Sequence, residues 1–212
     1  GAALNWEKNG WNIGMQYVAN LGTGSNSNPQ KGGIATDNSA ATGTVQIGYQ
    51  SEQWAIAGIY SYVQDASVVP YSTTFTQLSY LQDIDQSINA FGLSGYWQPI
   101  NSGFIPAISA GWGLNTTNFD GKDTPDGYVS TSQSWQVSLQ WQDAFMKGNT
   151  AGLAVGQATF TTDLTGSESP DDGNYVRGGW YSFKAIDKIT LTPAAFCLSR
   201  SLGQLTPIIN SF

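Results

Sequence analysis

The chain predicts an all-β fold, an antiparallel up-and-down transmembrane β-barrel of about ten strands, and three observations carry that expectation. Apolar and polar residues alternate at period two. In SWQVSLQW (134–141), Trp135, Val137, Leu139 and Trp141 share one face while Ser134, Gln136, Ser138 and Gln140 share the other. Most strand-like runs are about ten residues long, the length a tilted strand needs to cross a bilayer, against the ~5–6 usual in soluble sheets. The connections between runs alternate short and long, as in barrels with tight turns at one end and long loops at the other.

Taken in order, the runs fall at 1–6, 11–20, 42–51, 54–63, 87–97, 103–114, 131–142, 150–160, 175–186 and 189–198. The first ends in EKNG, whose Asn9-Gly10 pair is a hairpin signal. In the second, Trp11, Ile13, Met15 and Tyr17 alternate with Asn12, Gly14 and Gln16; in the third, Val45, Ile47 and Tyr49 alternate with Thr44, Gln46 and Gly48. Glu52-Gln53 turns into the fourth run, and PINSG (99–103) joins the fifth to the sixth. On the sixth, Phe104, Ile108, Ala110 and Trp112 oppose Ser109, Gly111 and Gly113. The seventh is the SWQVSLQW run, linked to the eighth by DAFMKGN (143–149), and Asp187-Lys188 turns the ninth into the tenth. The long connections are 21–41, 64–86, 115–130 and 161–174, rich in Gly, Asn, Ser, Thr, Pro and Asp. None of the intervals shows a convincing amphipathic helix.

Composition points the same way. Charged residues make up 11% of the 212, against about 25% in an ordinary soluble domain. The polar faces therefore rest on Gln, Ser, Thr, Asn and Gly, which suits a hydrated but confined lumen better than an open water-facing surface. Trp6, Trp11, Trp54, Trp97, Trp112, Trp141, Tyr62 and Tyr175 are expected near strand ends, where a bilayer interface selects amphipathic rings. No run of eighteen apolar residues predicts a transmembrane helix, and no signal peptide is visible. The lone Cys197 rules out an internal disulfide. A net charge of −7 with only eight Lys plus Arg argues against nucleic acid as a partner.

The segments IPAISAGWGLNT (105–116), SWQVSLQWQDAFMKGNTAGLAVGQ (134–157) and PDDGNYVRGGWYSFKAIDKITLTPAAFCLSRSLGQLT (170–206), with NGWNIGMQYVAN (9–20), resemble the barrel region of cyanobacterial outer-membrane porins of the Som or iron-uptake type, related to the OprB-like carbohydrate-selective porins. The resemblance implies an outer-membrane location, passive diffusion and an association with iron uptake. It also implies a whole protein with a signal peptide, a surface-layer-homology domain, a coiled-coil linker and a barrel of about sixteen strands. This chain then corresponds to the C-terminal barrel portion. Arg177-Gly178 and Cys197 stand where similar sequences tend to carry larger aromatic or apolar residues, and Phe212 echoes a terminal aromatic that barrel assembly reads.

No enzyme chemistry is expected. The chain has no His, which removes Ser-His-Asp catalysis and His-based metal sites. Carboxylate pairs such as Asp171-Asp172 or Asp83 with Asp85 lie in long loops, without the cleft that acid-base work needs. DGKDTPDG (120–127) clusters oxygens but misses the EF-hand spacing, and GTGSNSN (22–28) lacks the Lys and helix of a phosphate loop. No cofactor is expected.

The candidate functional residues are charges. The long loops hold Asp37, Asp65, Asp83, Asp85, Asp120, Asp123, Asp126, Asp163, Glu168, Asp171 and Asp172 against Lys31 and Lys122, a net of −9 at one end. Acids around a pore mouth attract cations. Arg177 and Lys184 lie on opposite faces of one strand, so at most one points into the lumen unless a bulge intervenes. The segment 64–86, with Val68, Val69, Tyr71, Phe75, Leu78, Tyr80 and Leu81, is expected to fold partly into the lumen, or to pack on a neighbouring protomer or on a further part of the barrel. The function expected is a porin for small solutes and inorganic ions, its partners outer-membrane lipid and further copies of the chain in a trimer. The rivals are a barrel serving as an anchor or adhesin, and a secreted soluble β-protein that binds carbohydrate through its aromatics.

Overall fold

Strict alternation commits each strand to a sheet with two unlike faces, and the chain builds one antiparallel meander of this kind. The computed structural model describes residues 1–20, 40–64, 73, 76, 86–100, 103–119, 124, 126–166, 170, 172–186 and 189–199. Within them run β1 (Ala2–Lys8), β2 (Trp11–Asn20), β3 (Ala40–Gln50), β4 (Trp54–Gln64), β5 (Gln86–Trp97), β6 (Ala107–Phe119), β7 (Val129–Gln142), β8 (Thr150–Leu164), β9 (Tyr175–Ile186), β10 (Ile189–Leu191) and β11 (Ala194–Ser199). Each pairs with its sequence neighbour from β1 to β10, and β11 also lies on β9. Tight turns occupy one end; at the first, Asn9 and Gly10 have φ of 53° and 84°, the left-handed pair that a type I′ hairpin requires.

Several boundaries differ from the sequence expectation: β6, β7 and β8 reach further toward the long-loop end, and two differences follow from proline. β6 starts at Ala107 rather than at 103, directly after Pro106, which has no N–H for a ladder. Phe104 consequently stands outside the strand, almost fully exposed. The tenth run is broken at Thr192-Pro193 into β10 and β11; Pro193 cannot donate, and its carbonyl accepts from the Tyr181 N–H at 3.1 Å. Trp112 lies well inside β6, directly opposite Trp135 of β7, not at a strand end. The expected closure into a barrel is absent among the described residues: β1 pairs only with β2, and β10 and β11 only with β9, so the sheet is open with two free edges.

The register sorts the faces. One cross-strand row runs Trp6, Ile13, Ile47, Gly58, Leu93, Trp112, Trp135 through β1 to β7. The row beside it runs Asn12, Gly48, Ala57, Ser94, Gly111, Gln136, Gly156 through β2 to β8. The first face is apolar and uncovered: Ile47 is 49% exposed, Leu93 50% and Leu153 56%. The second is polar and small. Its buried apolar cluster sits at the long-loop end, where Ile88, Val129 and Leu164 pack with Val63 and Ala90.

The rows also climb. The row through Trp11, the first residue of β2, passes Tyr49, Ile56, Gly95, Ala110, Val137 and Val155 and reaches Arg177. Arg177 is 186 − 177 = 9 residues from the turn end of β9 at Ile186. Strands that stagger this way are tilted to the line through their turns, the condition for rolling a sheet into a cylinder.

Candidate functional site

The polar face is built from groups that bond sideways to one another. Thr44 Oγ1 lies 2.8 Å from Ser61 Oγ, and Ser109 Oγ 2.6 Å from Ser138 Oγ, each pair on facing strands. Asn115 Nδ2 donates to Ser132 Oγ at 3.1 Å. Glycine supplies room between them, and at Gly152 the room is used: the Trp180 indole lies flat over it where any Cβ would stand. In the middle rows the face carries amides, hydroxyls and hydrogens, with Ala57 and Ile59 as apolar members, and no charge.

The apolar face hides its few polar atoms. Trp112 Nε1 donates to Gln133 Oε1 at 3.2 Å, Trp135 Nε1 to Gln157 Oε1 at 2.6 Å, and Tyr60 Oη to Asn89 Oδ1 at 2.7 Å. Each pair lies on that one face, as the register requires. At the turn end an aromatic series follows: Trp11 on Tyr49 at 5.1 Å, Tyr49 on Trp54 at 5.3 Å, and Trp54 opposite Trp97.

The sequence-derived charges divide as follows. Asp83, Asp85, Asp120, Asp123 and Asp171, with the apolar set from Val68 to Leu81, lie outside the described residues. Asp126 is exposed in the β6–β7 connection and leans over Gly166, whose φ of 93° belongs to the start of the β8–β9 connection. Asp163 accepts from Ser130 Oγ at 3.1 Å. Arg177 and Lys184 do separate: no shift interrupts the β8–β9 register, so Arg177 stands with Val155 and Cys197 on the apolar side. Lys184 falls on the side of Trp180 and Ser182, the polar face. Arg177 thus lies on the apolar face, and Lys184 is the described cation on the polar one.

Toward the long-loop end of β9 the sorting loosens, although Tyr181 and Phe183 nearer the turn keep to the apolar side. Val176, Trp180, Phe196 and Leu198 take the polar-face side, while Tyr175, Arg177, Cys197 and Ser199 take the apolar side. The continuous apolar belt therefore runs from β1 to β8 and is interrupted at this edge.

Asp172 has a different place from the one its neighbours in sequence suggest. Its Oδ2 accepts from Thr73 Oγ1 at 2.7 Å, from Thr76 Oγ1 at 3.0 Å and from the Thr161 N–H at 2.8 Å. Thr73, Thr76 and Thr161 are all buried. Sequence reading missed these threonines, because threonine in a polar loop carries no pattern that separates a buried ligand from a solvated one. No protein-family model and no curated protein matches this chain.

Proposed function

We propose that this chain forms the wall of an outer-membrane β-barrel that passes small polar solutes and ions by diffusion. The observation that carries the reading is the exposed apolar belt from β1 to β8 set against a polar face whose middle rows carry no charge. At 40–50% exposure, side chains of this size present on the order of 80 Å² apiece. The belt thus passes ~1,000 Å², beyond the ~300–600 Å² of the largest patch on a typical soluble monomer. Hydrocarbon removes that penalty. Three polar rings of the belt fit the same solvent, since the Trp112 and Trp135 indoles and the Tyr60 phenol donate to Gln133, Gln157 and Asn89 on their own face.

Closure follows from direction and stagger. With β10 and β11 taken as one broken pass along β9, the meander has an even number of passes, and its two free edges run antiparallel. An eight-stranded cylinder is filled by its own side chains. A ten-stranded one keeps a passage only if its inner rows are small, and Gly48, Ala57, Ser94 and Gly111 are. If the sheet is instead part of a wall of about sixteen strands, the same rows line a wider channel. This agrees with the resemblance to cyanobacterial porins and leaves iron association as that resemblance's implication. The loop acids at one end favour cations, and Lys184 opposes them from the wall.

The test is purified protein in a planar bilayer and in detergent-free buffer. Discrete conductance steps, with precipitation once detergent is removed, are expected. A soluble monomer without conductance would overturn the reading in favour of a secreted carbohydrate-binding protein, and a folded, membrane-inserted but silent barrel would favour an anchor.

A further inference from the structure

Thr73 and Thr76 belong to the connection between β4 and β5, yet their partners are on β8 and just before β9. In sheet order that is four strand spacings away, ~19 Å along the sheet at ~4.8 Å per strand. The contact is a bonded one. Thr73 N–H donates to Thr159 O at 2.8 Å, and Thr76 N–H to Thr73 Oγ1 at 3.2 Å. Thr161 is paired with Ser132, which Asn115 binds, so the anchoring point is on the polar face.

The protons can be assigned. Each hydroxyl has one, and the carboxylate is the strongest acceptor present, so Thr73 and Thr76 both donate to Asp172 Oδ2. Thr161 then donates its hydroxyl to Thr76 Oγ1 at 2.8 Å and its N–H to Asp172. The 3.0 Å approach of Thr73 Oγ1 to Thr76 Oγ1 needs no proton of its own. Every buried oxygen of the cluster is satisfied, and a single carboxylate is common to three of its bonds.

We infer that Asp172 is a positioning residue: its carboxylate ties Thr73 and Thr76, which belong to the β4–β5 connection, to β8 on the polar face and so narrows the passage at the long-loop end. The inference rests on the pore reading for its consequence, but the tether itself is independent of it. An Asp172 spent in this way does not serve as a free charge at the mouth. The hydroxyls are needed for bonding and the threonine methyls only for packing, which gives a clean set of variants.

Two measurements separate the parts. In detergent micelles, chymotrypsin has Tyr71, Phe75 and Tyr80 as targets between β4 and β5 and exposed Phe145 as an internal reference. Asp172→Ala, and Thr73→Val with Thr76→Val, should speed cleavage between Gln64 and Gln86 about tenfold or more relative to Phe145, as loss of bonds to a charged group implies. Thr73→Ser with Thr76→Ser keeps the hydroxyls and should stay within about twofold of wild type. In planar bilayers the first two variants should show larger single-channel conductance and the serine pair should not. Unchanged cleavage in both Asp172→Ala and the valine pair overturns the tether. Faster cleavage at unchanged conductance overturns the narrowing. A wild-type protein that forms no channel sinks the pore reading alone, and the cleavage rates still decide the tether.

Discussion

Val137→Arg and Gln136→Arg, adjacent residues on opposite faces of β7, discriminate most sharply between lipid and water as the solvent of the apolar belt. Val137 is 142 − 137 = 5 residues from the turn end of its strand at Gln142. At a rise of ~3.4 Å and a tilt of ~45°, that places it ~12 Å into an apolar band ~25 Å tall, close to the midplane. Its row offers no relief: Ala110 and Val155 flank it, Gly95 lies beyond, and the next charge is Arg177, of the same sign. A guanidinium there should cost about 2–4 kcal/mol, a factor of about 30 to 800 in the folding equilibrium. Gln136 sits between Gly111 and Gly156 on the polar face, and a guanidinium in its place should change stability by no more than ~0.5 kcal/mol. Urea titration of both variants in lipid vesicles, followed by tryptophan fluorescence, measures the difference. Equal midpoints, or a larger loss for Gln136→Arg, would refute the assignment of faces.

Gly152→Leu should displace the Trp180 indole and lower stability by about 1–3 kcal/mol, whereas Gly58→Ala, where a Cβ meets only the Gly92 carbonyl oxygen at 4.0 Å, should lie within ~1 kcal/mol of wild type; urea midpoints check both. Reversal potentials across a KCl gradient should show cation preference at low ionic strength, weakening as salt shortens the screening length to ~10 Å at 0.1 M. Lys184→Gln should increase that preference and Arg177→Gln should leave it unchanged, because only Lys184 shares the polar face; the reverse pattern in the same assay would invert the wall.

Most of the sheet was legible because period two is a local property. The faces of Trp135, Val137, Leu139 and Trp141 follow from four alternations in eight residues, and the register carries that assignment to neighbouring strands without further information. Pro106 and Pro193 are equally local signals, since a residue without an N–H marks the edge of a ladder. The irregular register between β7 and β8 was not legible. Shifts fall between Val129 and Thr131, Thr131 and Ser132, and Gln133 and Trp135. A bulge depends on what both strands present, and neither sequence alone shows where the extra residue goes.

The charges were legible as residues and not as sites, for a reason that Asp171 and Asp172 make plain. They are adjacent, identical and set in the same polar loop, so no local rule assigns them different roles. What fixes Asp172 is the company of Thr73 and Thr76, almost a hundred positions away, and an N–H on β8. That company exists only once β5, β6 and β7 have been laid down between the partners. The cost of closing so long a loop grows slowly with its length, by about 0.6 kcal/mol per doubling, so distance in sequence is little barrier to forming the contact. The same argument explains Arg177. Alternation put it on a face, but whether that face meets lipid depends on where the belt ends, and around Arg177 the register offers only Val155 on one side and Cys197 on the other. An arginine within two residues of the long-loop end of β9, beside Tyr175, stands at interfacial depth, where its cost falls to ~0–1 kcal/mol. The position is therefore compatible with a bilayer although the residue type, taken alone, is not.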